Sequence, residues 1–152
     1  MMRKGAAILI SVAAAWLMGP AEANPKSECM AGLRESLIEG GFSGPLICSK
    51  TDATFALIGR TKESDYSIYD YRYRFMPKNG SVMHGGQRII VFLGTKYIGQ
   101  YSLSPPPYNP MSVCGSRLIV KSRDGKDTYS LDFSDRPPNE VFVDGEILNL
   151  YR

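Results

Sequence analysis

The chain changes its hydrophobic period twice. Residues 5–18 are apolar almost without interruption, residues 25–39 place Met30, Leu33 and Leu37 at helical spacing, and beyond Gly44-Pro45 short apolar runs alternate with polar ones. Each period predicts a different element. The first run follows Arg3 and Lys4 and is broken by Gly19-Pro20, the charged-then-apolar order of a secretory leader. At about 14 residues it is short of the roughly 20 that cross a bilayer as a helix. Ala21-Glu22-Ala23 then supplies the small-x-small pattern read by a signal peptidase. The expectation is a cleavable bacterial-type signal peptide over residues 1–23, followed by a single exported globular domain over residues 24–152. No cysteine stands at the cleavage point to take a lipid, and no paired arginines precede the run. A soluble periplasmic or secreted protein follows, with no membrane insertion after cleavage.

In the second region, Asn24-Pro25 offers a cap with proline at the first helical position, and Gly40-Gly41 stops the run. This predicts one short amphipathic helix. Cys29 and Leu33 are four apart and share its inner face.

The third region reads as short strands divided by turns. Asn79-Gly80, Asp124-Gly125 and Asp144-Gly145 suit the positive φ of type I′ hairpins, and Gly94-Thr95 suits type II′. Strands are expected over residues 46–49, 54–58, 65–75, 82–93 with a break near Gly85-Gly86, 96–103, 112–121, 128–133, 141–143 and 147–150. Tyr69, Tyr71, Tyr73 and Phe75 alternate with Asp70, Arg72 and Arg74, so that strand should have an aromatic and a charged side. The unbroken run from Ile89 to Leu93 predicts a central strand covered on both faces, one of them by the helix. Tyr129, Leu131 and Phe133 alternate with Ser130 and Asp132, giving a dry and a wet side. The fold class is therefore α+β: one N-terminal helix packed on a bent antiparallel β-meander, with closure into a small barrel as one outcome. Residues 104–111 interrupt the pattern with Pro105, Pro106, Pro107 and Pro110, which lack backbone donors and favour stiff extended geometry, so a loop or edge crossing is expected.

Charge adds little. Loss of Arg3, Lys4 and Glu22 with the leader takes the net charge from +3 to near +2, without the clustered basic face of a nucleic-acid binder. The three cysteines all lie beyond the leader, and an oxidising compartment favours pairing two of them. Cys29 and Cys48 are close in sequence and a bridge between them would pin the helix to the next segment. The other two pairings stay open, since connectivity cannot be read from sequence. Cys114 is then left over, as a small buried hydrophobe, an intermolecular bridge or a nucleophile.

The search for chemistry returns few candidates. There is one histidine, His84, no Cys-x-x-Cys pair, no spaced carboxylates of a calcium loop, and none of the glycine motifs of phosphate or dinucleotide sites. No metal or cofactor is expected. Cys114 with His84 is the one thiol and imidazole pair available for nucleophilic catalysis. The tyrosines are strand and core residues in the first instance, but Tyr108 within the proline loop could form a rigid contact patch flanked by Arg72 and Arg74. The leading expectation is a non-catalytic periplasmic binding or inhibitor-type module that engages an envelope protein or polymer, and no nucleic acid, through Pro106, Pro107, Tyr108 and Asn109. The alternatives are a small hydrolase or thiol enzyme using Cys114 and His84, and an envelope assembly subunit that pairs through an edge strand.

Overall fold

A computed structural model describes residues 29–152; the leader, its cleavage site and the Asn24-Pro25 cap lie outside the described residues. These hold one short helix, α1 (Arg34–Glu39), and nine strands: β1 (Ala53–Arg60), β2 (Tyr66–Phe75), β3 (His84–Leu93), β4 (Lys96–Leu103), β5 (Met111–Cys114), β6 (Arg117–Lys121), β7 (Thr128–Asp132), β8 (Glu140–Val143) and β9 (Glu146–Asn149). Every ladder is antiparallel and follows chain order, as β1-β2-β3-β4, β5-β6-β7 and β8-β9. The expected meander is present. The barrel is not, because the chain divides into three separate sheets. On the β4 side, Gln100 bonds Tyr151 in an isolated bridge. On the β1 side, Gly59 lets β5 approach, since a Cβ there would lie 2.8 Å from Val113, but no ladder forms.

The N-terminal segment also departs from expectation. No continuous helix runs through residues 29–39. Met30 and Ala31 take left-handed backbone angles (φ 54° and 53°) inside a tight turn at Cys29–Gly32, and α1 starts only at Arg34, without a side-chain cap. The Cys29–Cys48 disulfide, Cα to Cα 5.2 Å, ties that turn to the approach of β1. The expected strand at residues 46–49 does not form. There the backbone is satisfied by a side chain instead of a neighbour: Ile47 N donates to the Tyr71 hydroxyl (2.9 Å), which itself donates to Pro45 O (2.7 Å).

The four-stranded sheet is covered on both faces. Tyr71, Tyr73, Ile90, Phe92 and Tyr97 pack beneath Cys29, Met30 and Leu37 on one side. Ile68, Ile89, Val91, Tyr101 and Leu103 pack against Leu118, Val120, Leu131, Phe133, Val143 and Leu148 of the other sheets. Thus β3 is the central strand its unbroken run implied. A bulge between Val91 and Phe92, opposite Ile98, puts Tyr97 and Tyr101 on opposite faces although they stand four apart in one strand.

Turn chemistry separates the hairpins. Asp144 and Gly145 both take positive φ (52° and 83°) and join Val143 to Glu146 as expected of type I′. Gly94 alone is positive in its turn, matching type II′. The expected strand at residues 112–121 is split by a further two-residue turn at Gly115-Ser116. Asn79-Gly80 makes no two-residue turn; β2 and β3 end at Phe75 and His84, leaving residues 76–83 as a longer tip. Asp124-Gly125 sits within a loop closed by Ser122 N to Asp127 O (2.9 Å).

Candidate binding surface

At one end of the large sheet β4 stops three residues short of β2 and β3. In register, Arg72 of β2 opposes Gln87 of β3, which opposes Leu103 at the end of β4. The chain leaving Leu103 is the proline loop. Because prolines carry no N–H, residues 104–110 cannot extend the ladder, and apart from one main-chain bond, Lys121 N to Pro110 O (2.9 Å), their hold on the protein comes from side chains. At one end Ser104 Oγ donates to the Glu146 carboxylate (2.7 and 2.8 Å). At the other, Asn109 is buried. Its amide N–H donates to Gln87 Oε1 (2.8 Å), its carbonyl accepts from Gln87 Nε2 (2.9 Å), and its own Nδ2 donates to Lys121 O (2.8 Å) and to Asp144 Oδ2 (2.7 Å).

The network continues through the core. Gln87 Nε2 also donates to Asp70 Oδ1 (2.9 Å), and Asp70 Oδ2 takes Arg72 at 2.7 Å. Asp144 pairs with Arg123 (3.3 Å). One connected set of polar side chains therefore links β2, β3, the loop, the end of β6 and the β8–β9 turn. The charged side expected of β2 is wet only toward its end: Arg74 is exposed, but Asp70 is only 4 % exposed and lies beneath the loop. Burial pushes its carboxyl above the ordinary value, against the lowering pull of Gln87 and Arg72.

Above this buried base the loop is open. Pro105, Pro106 and Pro107 are exposed, Tyr108 is half-buried, and the Arg72 guanidinium lies 5.1 Å from the Tyr108 ring centre. Of the expected contact residues, Pro106, Pro107 and Tyr108 present surface, whereas Asn109 spends its side chain on holding the loop. Pro106 also lies beside Gly85, where a Cβ would sit 3.7 Å from its ring. The β2–β3 tip is thus next to the loop, and it exposes Phe75, Met76, Val82 and Met83. Sequence reading treated this tip as a tight turn and missed its apolar surface. The signal available was the consecutive pairs Phe75-Met76 and Val82-Met83 around Pro77-Lys78-Asn79-Gly80, too long a gap for a two-residue hairpin.

The Cys114 and His84 side chains are not brought together. Cys114 is exposed, correcting its reading as a buried hydrophobe. It stands beside the Tyr66 end of β2, where Lys62 N donates to Gly115 O (3.2 Å). His84 opposes Phe75 at the other end, and nine strand steps put the two about 30 Å apart. Among the described residues no group of three or more His, Cys, Asp or Glu side chains could hold a metal ion. A groove of about 590 Å³ lies along β1, lined by Met30, Ile47, Phe55 and the disulfide, but it gathers no set of convergent polar groups. No protein-family model matches the chain, and no curated protein and no solved structure is significantly similar to it.

Proposed function

We propose that this protein is a non-catalytic binding module of the cell envelope, and that it engages an envelope protein or polymer through the end of the large sheet where the proline loop and the β2–β3 tip meet. The observation that carries the reading is the contrast within one loop. Pro105 to Pro107 are exposed, yet both flanks are tied down, one of them through Asn109 to a buried network that runs from Asp70 to Asp144. Stiff prolines and a tyrosine fixed under Arg72 lose little freedom on association, which is how a small surface gains affinity. The adjacent Phe75, Met76, Val82 and Met83 supply apolar area. An exported location fits the leader pattern; the Cys29–Cys48 bond is compatible with an extracytoplasmic protein, and no described helix is long and apolar enough to cross a membrane.

The test is capture from an envelope extract with a photocrosslinker in place of Pro106, repeated with Tyr108→Ala. Because Tyr108 is half-buried and not in the core, the substitution should cost about 1 kcal/mol or less of stability while abolishing capture. A loss of several kcal/mol, or capture that persists unchanged, would remove the loop as the contact surface.

A further inference from the structure

The other face of the large sheet carries a different inference. Arg88 projects from β3 toward Phe42 on the helix side, opposite to its neighbour Gln87. It is half-buried, and its partners are all neutral. Nε and Nη2 both donate to the Tyr73 hydroxyl (3.3 Å each), and Nη1 donates to Gln100 Oε1 (3.0 Å) and to the Tyr151 hydroxyl. The guanidinium also lies 5.7 Å from the ring centres of Phe42 and Tyr73 and 6.0 Å from that of Tyr151. Rings offset part of the lost hydration of a cation. They do not supply the negative charge that a cation taken out of water ordinarily finds. Arg34 and Arg72, also half-buried, each hold a carboxylate. Arg88 has none among the described residues, and the chain has no Asp or Glu from residue 71 to residue 123.

The cluster is rich in donors and short of acceptors. Four of the five guanidinium N–H groups are used, two of them in long bonds to a single oxygen. Each phenol oxygen accepts from Arg88, and neither passes its own proton to an acceptor among the described residues. Tyr71 shows the ordinary arrangement, accepting from Ile47 N and donating to Pro45 O. Tyr73 is only 8 % exposed, which leaves bulk water little access to its spare O–H. Gly44 closes one side of the guanidinium, where a Cβ would stand 2.9 Å from Nη2. Ser102, opposite Arg88 in register and on the same face, is exposed and leaves the β4 side open.

We propose that Arg88, Tyr73 and Tyr151 form a binding site for a carboxylate, which supplies the missing charge and accepts from the spare guanidinium N–H and from both phenols. One cation balances the single charge of a carboxylate and not the nearly double charge of a phosphate. Two carboxylate oxygens offer about four lone-pair positions, enough for these three donors. The group belongs to a free acid or to an acidic side chain of a polypeptide, which present the same chemistry. The site lies on the face away from the network beneath the proline loop, so either assignment can fail alone.

The probes are benzoate, as a free acid, and a blocked glutamate tripeptide, as a side-chain carboxylate, each titrated into the protein as isolated from the cell. Benzamide and the glutamine tripeptide are the uncharged controls, and inorganic phosphate at equal ionic strength is the anionic one. The Arg88 Nε–H and the Tyr73 and Tyr151 ring signals, followed by NMR, should shift saturably with at least one acid, at a Kd of about 1 mM or tighter. The controls should bind at least about tenfold more weakly. Tyr151→Phe keeps the ring and removes one donor, and should weaken binding about tenfold, as loss of a hydrogen bond to a charged group does. Arg88→Lys should weaken it as well, since an ammonium keeps the charge and loses the fork. Tyr108→Ala should change none of this, which separates the result from the loop reading. Tighter binding of benzoate assigns the site to a free acid, and tighter binding of the glutamate peptide assigns it to a polypeptide. The inference is overturned if neither acid binds, if the amides or phosphate bind as well as the acids, or if Tyr151→Phe leaves the affinity unchanged.

Discussion

Asn109→Ala is the sharpest test of how the proline loop is held. The substitution keeps the two main-chain bonds to Gln87 and deletes two side-chain bonds, to Lys121 O and to Asp144 Oδ2. The first is a neutral hydrogen bond worth about 1 kcal/mol; the second goes to a carboxylate and is worth about 1.5–3 kcal/mol. Asp144 is not orphaned, because Arg123 pairs with it (3.3 Å) and donates its backbone N–H (3.2 Å). The expected loss is therefore about 2.5–4 kcal/mol, a large share of the 5–15 kcal/mol typical of a domain but short of unfolding most of them. For a domain of this length that corresponds to a fall of roughly 10 °C in the thermal midpoint. Urea unfolding gives the free energy directly. Amide exchange at Tyr108 and Asn109 should quicken by more than the global loss accounts for, since the loop opens ahead of the core. A cost below about 0.5 kcal/mol, the range of ordinary surface substitutions, would refute the view that buried bonds at Asn109 fix the loop.

Three further outcomes follow from Asp70 and the cysteines. Because burial raises the Asp70 carboxyl above the ordinary aspartate value of 3.8, the folded protein binds that proton more tightly than the unfolded chain, so its contribution makes stability fall as pH rises from 3.8 through its folded value and stay level above. Comparing urea unfolding of the wild type and Asp70→Asn across the acid range should isolate that slope; the lowered carboxyls of Asp52, Asp124 and Asp132 act in the opposite sense and cancel in the difference. A difference that rises with pH would be the wrong sign. Replacing Cys29 and Cys48 together by serine should cost about 3 kcal/mol by the loop-closure argument, while Cys114, being exposed, should react as one thiol equivalent in the native protein; protection of that thiol until unfolding would contradict its placement.

The sequence by itself determined the local features of this protein. Strand periodicity located β4 at its observed bounds and β3 as a central strand, since the consecutive residues Ile89 to Phe92 can all be buried only where both faces are covered; Leu93, at the hairpin end of the run, is exposed. Asp144-Gly145 and Gly94-Thr95 fixed two hairpins, because few residues tolerate positive φ. The short separation of Cys29 and Cys48 pointed to the disulfide that forms. What only the tertiary structure decided depends on residues far apart in the chain. Three sheets in place of a barrel follow from edge pairings that no local period encodes. The strand expected at residues 46–49 was lost to a tyrosine hydroxyl 24 residues beyond Ile47. Asp70 looked like one member of a solvated side and is buried because Gln87 and Asn109, 17 and 22 residues further along successive steps, close over it. Alternation tells which residues share a side of a strand, not whether another part of the chain will cover it. The candidate surface was legible only in part for the same reason: prolines announced an exposed loop, while the network that makes it rigid and the apolar tip beside it exist only once β4 stops opposite Gln87 and β2 and β3 run on past it.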